Sequence, residues 1–162
     1  MPRVFVSIGS NIERARNVRS AVRSLRREFD ELLISPVYES KSVGFQGEDF
    51  FNLAVGFDTD LPVEEVNRKL RAIESDHGRV RGGEKFSSRT LDLDVLLYGN
   101  LIDHSVSQDV PRTEITEYAF VLKPLCDIAG HVLHPETDET IADMWRKLGP
   151  RLPPVKIVDI SL

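Results

Sequence analysis

Asp92 and Asp94 lie two residues apart in "SRTLDLDVLLYG", residues 88 to 99, a stretch that otherwise reads as a buried β-strand. In a strand, residues i and i+2 point to the same face and stand about 6.5–7 Å apart. Aspartate is depleted in strands, and adjacent carboxylates repel each other unless something positive compensates. Two hard oxygen donors at this spacing suit a divalent cation. Magnesium is commonly held by one or two carboxylates, with water and phosphate oxygens completing its shell. The plainer reading is an exposed acidic face matched by nearby bases, and the spacing alone leaves both open.

The segment just ahead favours the first reading. From 79 to 89 it carries Arg79, Arg81, Lys85 and Arg89 against a single acid, Glu84. Gly82, Gly83, Ser87 and Ser88 in the same segment predict a mobile loop. A cationic loop beside a metal-binding carboxylate pair suits transfer of a phosphate-containing group. There the metal aligns the phosphates and arginines stabilise the charge spread over them. Arginine binds phosphate oxygens in pairs through its planar fork. No G-x-x-x-x-G-K-[ST] sequence occurs, so the phosphates are not expected on a P-loop.

The elements that must carry these residues follow from periodicity. Residues 3–8 alternate as a strand with Val4, Val6 and Ile8 on one face, and Ser10 or Asn11 is placed to cap a helix from Glu13 to Phe29. That helix is apolar at Val18, Ala21, Val22, Leu25 and Phe29, and arginine-rich on its solvated face. "LLISPVYES" and "FFNLAVGFDT" read as strands two and three, with a loop over 41–49 between them. Pro62 opens a second helix that ends at Gly78. Strand four places Leu91, Leu93, Val95 and Leu97 on the core face, and Asp92, Asp94, Leu96 and Tyr98 on the other.

The order strand, helix, strand, strand, helix, strand predicts an α+β fold. It is a ferredoxin-like βαββαβ sandwich, an antiparallel sheet with helices on one face. "FVLKPLCDIA" and "TIADMWRKL" add C-terminal helices, and "VKIVDI" is strand-like. At 162 residues, with 41% hydrophobic and 29% charged residues, the chain reads as one domain over 1–162. A net charge of -5 argues against general affinity for nucleic acid or anionic membrane, and no apolar run has the length of a membrane span. The lone Cys126 predicts no internal disulfide, a cytoplasmic setting and a packing role. His131 and His134 are expected in surface or packing roles, and His77 and His104 show no partner by spacing.

Taken together, the chain resembles the 6-hydroxymethyl-7,8-dihydropterin pyrophosphokinases of folate biosynthesis. The resemblance runs in order through "SIGSN" (7–11), "FFNLAV" (50–55), "GRVR" (78–81), "SRTLDLDVLLYG" (88–99) and "AFVLKPL" (119–125). It implies transfer of pyrophosphate from ATP to the hydroxymethyl group of the pterin, releasing AMP. It further implies that Asp92 and Asp94 hold two magnesium ions and that Arg79 and Arg89 act on the transferring phosphates. Arg71, Glu74, Arg81, Arg112 and Thr113 fall on the ATP side. Asn52 is implied to bind the pterin edge, Phe50 and Phe120 its faces, and Ser40, Lys41 and Val43 its loop.

The chain departs from the family at four places. Arg112 replaces a phosphate-contacting histidine, Tyr118 an arginine, Phe86 a loop tryptophan and Lys41 a common proline. One reading is that Arg112 restores the charge lost at 118. The partners expected are the two small-molecule substrates, with the chain a monomer and a dimer left open. Two other readings stand beside this one: the same mechanism on a related hydroxymethyl heterocycle, and a catalytically idle nucleotide-binding module.

Overall fold

Strands Arg3–Ser10 and Asp92–Tyr98 serve two cores, because their side chains alternate between faces that are both covered by helices. The protein is described by a computed structural model over residues 1–41, 48–78 and 91–162. The loop cations and serines at 79–89, including Arg79, Arg81 and Arg89, lie outside these residues, as does Val43.

The strands are β1 (Arg3–Ser10), β2 (Leu33–Ile34), β3 (Val37–Ser40), β4 (Phe50–Asp58), β5 (Asp92–Tyr98) and β6 (Lys156–Val158). Among the described residues they form one sheet in the order β5-β1-β4-β3-β6, with β2 also on β4, and every pairing is antiparallel. Counting β2 and β3 as one interrupted strand, the first four strand positions follow the expected ferredoxin-like order, and the tail "VKIVDI" supplies β6 at the edge beside β3.

Helices α1 (Arg14–Phe29) and α2 (Val63–Asp76) cover one face. Val18, Val22, Leu25, Val66 and Leu70 pack there against Val4, Val6, Ile8, Leu53, Val55 and Leu93. The C-terminal helices α3 (Ala119–Ala129) and α4 (Ile141–Leu148) cover the other, around Phe5, Leu96, Leu97, Leu122, Leu125 and Met144. Among the described residues no helix is long and apolar enough to cross a membrane. Cys126 is half-buried, and burial pushes its thiol pKa up.

Four local expectations change. The second strand is interrupted after Ile34, because Pro36 has no N–H to give a ladder. Ser35 bridges the gap: its N–H donates to the Ala54 carbonyl (2.9 Å) and its hydroxyl accepts from the Ala54 N–H (2.8 Å). Neither Ser10 nor Asn11 caps α1. The helix starts after Glu13, which is left-handed at φ 41 and makes no side-chain cap, while Ser10 donates to the Ile12 carbonyl and Asn11 to that of Glu48.

In β5 the register to β1 shifts: Val6 opposes Val95 but Phe5 opposes Leu97. This bulge at Leu96 reverses the alternation. Leu97 therefore joins the α3–α4 core and Tyr98 packs against the α1–α2 core, opposite to strict alternation. His77 and His104 do have partners. The His77 ring bonds the Ile73 carbonyl and the Ser20 hydroxyl, each at 2.7 Å, and that of His104 bonds Asp109 (2.6 Å) and Glu136 (2.9 Å). His134 is buried and its Nδ1 accepts from the backbone of Glu136 and Thr137.

Candidate active site

One end of the sheet gathers the residues that spacing singled out. Antiparallel pairing brings the start of β5, the end of β1, the start of β4 and the end of β3 to that end. Along one rung Asp92 opposes Gly9, Gly9 opposes Asn52, and Asn52 opposes Tyr38. Strands are spaced by about 4.8 Å, so the backbones of Asp92 and Asn52 stand roughly 10 Å apart. Alternation puts Asp92, Asp94, Asn52, Phe50 and Ser40 on the α3–α4 face, since their neighbours Leu93, Phe51, Leu53 and Val37 all lie in the other core.

In the β3–β4 half the groups that meet Asn52 are neutral. Asn52 is buried, and its amide donates to the Ser40 hydroxyl at 2.7 Å. Gly9 makes room for it: a Cβ there would meet Asn52 Oδ1 at 3.2 Å and a Phe50 ring carbon at 3.8 Å. Glycine is needed here for close approach and not for an unusual φ. Tyr38 donates to Asp127 at 2.5 Å, and Lys123 bonds the other oxygen of Asp127 at 2.7 Å, tying β3 to α3. Burial, with the Asp127 bond, holds the Tyr38 phenol well above its ordinary pKa. Phe120, in the first turn of α3, stacks on Tyr118 with centroids 4.8 Å apart.

The β5 half is charged. Asp94 is nearly buried and faces two guanidinium groups, Arg71 Nη2 at 3.8 Å and Arg112 Nη2 at 3.7 Å. Those are ion-pair and not hydrogen-bond separations. Glu74 is buried on α2, where its carboxylate accepts the Leu93 N–H at 2.7 Å and pairs with Arg71 Nε at 3.2 Å. Arg71 also donates to the Leu93 carbonyl. The backbone of the residue between the two aspartates is thus held from α2 on both its polar groups.

Arg112 arrives through the bulge: its N–H donates to the Leu96 carbonyl at 3.0 Å. Its Nε bonds Glu114 at 2.7 Å. Burial opposes the Arg112 charge, but Asp94, Glu114 and Asp92 outweigh it and hold its pKa above the ordinary value. At about 4 Å and an effective dielectric of about 20, one such pair is worth roughly 4 kcal/mol before desolvation, which makes that outcome reasonable.

The carboxylate pair fits a hard divalent cation in donor type and spacing. Among the described residues no group of three or more His, Cys, Asp or Glu is placed to hold a metal. A two-carboxylate site would leave its remaining positions to water or to phosphate oxygens.

Of the residues read from sequence, Asp92, Asp94, Arg71, Glu74 and Arg112 come together on one side, and Ser40, Asn52 and Phe50 on the other. Thr113 is exposed at the start of a 3-10 turn, with its hydroxyl 3.5 Å from Asp109. Lys41 is exposed. Sequence reasoning missed Gly9 as the residue that clears space for Asn52, although it is the glycine of "SIGSN". It also missed Glu114, whose only sequence signal was its place two residues after Arg112.

A family model described as 7,8-dihydro-6-hydroxymethylpterin-pyrophosphokinase matches residues 5–130. The chain is 35% identical over 148 residues to the folic acid synthesis protein fol1 of Pneumocystis carinii, covering 90% of this chain and 20% of that protein. It is 35% identical over 143 residues to the 2-amino-4-hydroxy-6-hydroxymethyldihydropteridine pyrophosphokinase of Pseudomonas aeruginosa, covering 83% of this chain and 85% of that one. In fold it is similar to Plasmodium falciparum HPPK-DHPS wild type with SDX-DHP, with a TM-score of 0.70 at 13% identity, covering 93% of this chain and 44% of that one. The chain belongs to the 7,8-dihydro-6-hydroxymethylpterin-pyrophosphokinase family.

Proposed function

We propose that the protein transfers a pyrophosphoryl group from ATP to the hydroxymethyl oxygen of 6-hydroxymethyl-7,8-dihydropterin. The new bond joins that oxygen to the β-phosphorus, the α–β bridge breaks, AMP leaves and the hydroxyl proton is released. The observation that carries this reading is the pairing of two half-sites on one sheet end. Asp92 and Asp94 lie with Arg71 and Arg112 on one side, and the Asn52–Ser40 amide site lies two strands away.

On this reading Asn52 orients the pterin edge, since an amide can both donate and accept, and Phe50 and Phe120 offer it aromatic faces. Arg112 and Arg71 bind phosphate oxygens, and Glu74 holds the strand that carries the carboxylates. Thr113 lies on the nucleotide side. Asp92 and Asp94 would hold magnesium, two ions with ATP as co-substrate, which supplies charge neutralisation and alignment of the phosphates. Arg79, Arg81 and Arg89 are assigned to the phosphates, and Val43 to the pterin side, by family resemblance alone.

The test is direct. Incubation with ATP, magnesium and 6-hydroxymethyl-7,8-dihydropterin should give AMP and the pterin diphosphate in equal amounts. Formation of ADP, or AMP release that does not require the pterin, would overturn the assignment.

A further inference from the structure

Directly behind the neutral half-site, on the opposite face of the sheet, Arg14 makes three contacts with the strands that carry it. Its Nη1 donates to the Asp49 carbonyl at 2.7 Å and pairs with Glu39 Oε2 at 2.8 Å. Its guanidinium carbon lies 4.1 Å from the centroid of the Phe51 ring. Glu39 and Phe51 are register partners across β3 and β4, and Phe51 also opposes Ser10 at the end of β1. One side chain therefore ties together the ends of two neighbouring strands, β3 and β4.

Alternation makes the consequence specific. Phe51 packs in the α1–α2 core, so Phe50 and Asn52 on either side of it point the other way. The β1–α1 turn reinforces the hold. Asn11 donates to the Glu48 carbonyl at 3.2 Å, and Asn17 donates to the Ile12 carbonyl at 2.6 Å, bracing the turn from which Arg14 starts. Two consecutive carbonyls, those of Glu48 and Asp49, are thus held just before the strand that presents Phe50 and Asn52.

We propose that Arg14 is a positioning residue: from the reverse face it fixes the entry of β4 and so aims Phe50 and Asn52 at their ligand. That the ligand is a reduced pterin rests on the function proposed above; the positional effect does not. Arg14 is separated from the ligand by the sheet itself, so it acts only through the backbone of 49–51. A lysine would keep the charge opposite Glu39 but lose the planar fork and the flat contact with Phe51.

The experiment compares the full chain with Arg14→Met, Arg14→Lys and Glu39→Gln. Amide hydrogen exchange is read at 50–52 against 93–95, and steady-state kinetics are run with each substrate varied. In Arg14→Met, exchange at 50–52 should rise about tenfold while 93–95 stays within about twofold. KM for the pterin should rise about 5- to 20-fold, with KM for ATP and kcat within about twofold. Arg14→Lys should recover part of the pterin KM, and Glu39→Gln should show the same pattern at smaller amplitude.

Unchanged exchange at 50–52 in both Arg14→Met and Glu39→Gln would overturn the proposal, as would an equal rise in both KM values. If the unaltered protein makes no pterin diphosphate, the ligand assignment falls, and the exchange data still decide whether Arg14 positions the strand.

Discussion

The two halves of the site share one rung of the sheet and are built on opposite electrostatic principles. The groups that meet the Asn52 side chain are neutral: the Ser40 hydroxyl and a glycine that leaves space. Around Asp94 everything is charged, with two guanidinium groups facing one carboxylate and a second buried carboxylate, Glu74, close behind. Buried neutral groups are governed by partner count. A met hydrogen bond contributes about 1 kcal/mol, and an unmet one costs about 1–3 kcal/mol. Buried charges are governed by compensation, because removing one partner leaves the other stranded. The neutral half can therefore discriminate a heteroaromatic edge by shape and donor pattern, and the charged half can gather anionic oxygens and cations. Gly9, opposed to Asp92 on one side and Asn52 on the other, is where the two meet.

The largest test of that division is Asp94→Ala. It removes the carboxylate that both arginines face and one of two candidate metal donors. Turnover should fall by about 10³-fold or more, with affinity for the pterin alone changed by less than about threefold. Product formation and calorimetric pterin binding check the two parts. Retained turnover would remove Asp94 from the metal assignment.

Asn52→Ala probes the other half. Loss of the buried amide should raise KM for the pterin about 10- to 100-fold and leave KM for ATP within about twofold. If both constants rise together, the halves are not independent and the comparison fails.

The smallest effect lies outside both halves, at His104. Glu136 and then Asp109 raise its pKa above the ordinary imidazole value, outweighing desolvation. A histidine whose folded pKa is raised contributes stability below its unfolded pKa of about 6.5, and loses it as pH rises through the raised value. His104→Gln should therefore lower Tm by about 1–2 °C near pH 5.5 and leave it unchanged near pH 9. His134 has the opposite sign: burial lowers its pKa, so its neutral form is the one the fold accommodates. A thermal series across that pH range, with turnover at saturating substrate as control, checks the His104 expectation. Equal destabilisation at both pH values would mean that packing, and not charge, holds His104.

Much of this is legible in the sequence. The apolar period of α1 picks out Val18, Ala21, Val22, Leu25 and Phe29, all buried, and the alternation of β1 and the start of β5 gives the correct faces. The features that spacing misplaces are set by register and by long-range partners. Leu97 and Tyr98 exchanged faces because a bulge at Leu96 adds a residue that a two-residue period cannot show. Ser10 and Asn11 looked like helix caps, yet both side chains donate to backbone carbonyls of the turn and of Glu48. Spacing gives no sign that Glu74 accepts the Leu93 N–H inside the fold.

By itself the sequence determined which side chains share a face, where charge is concentrated, and that a carboxylate pair lies in a strand beside a cationic segment. These depend on spacings of two to four residues, which backbone geometry fixes locally. Only the tertiary structure decided that Arg112 meets Asp94, that Gly9 clears space for Asn52, and that Arg14 reaches Glu39 and Asp49 from behind the sheet. Those contacts depend on strand register and on one bulge, which are set by packing two cores against a single sheet and leave no periodic trace along the chain.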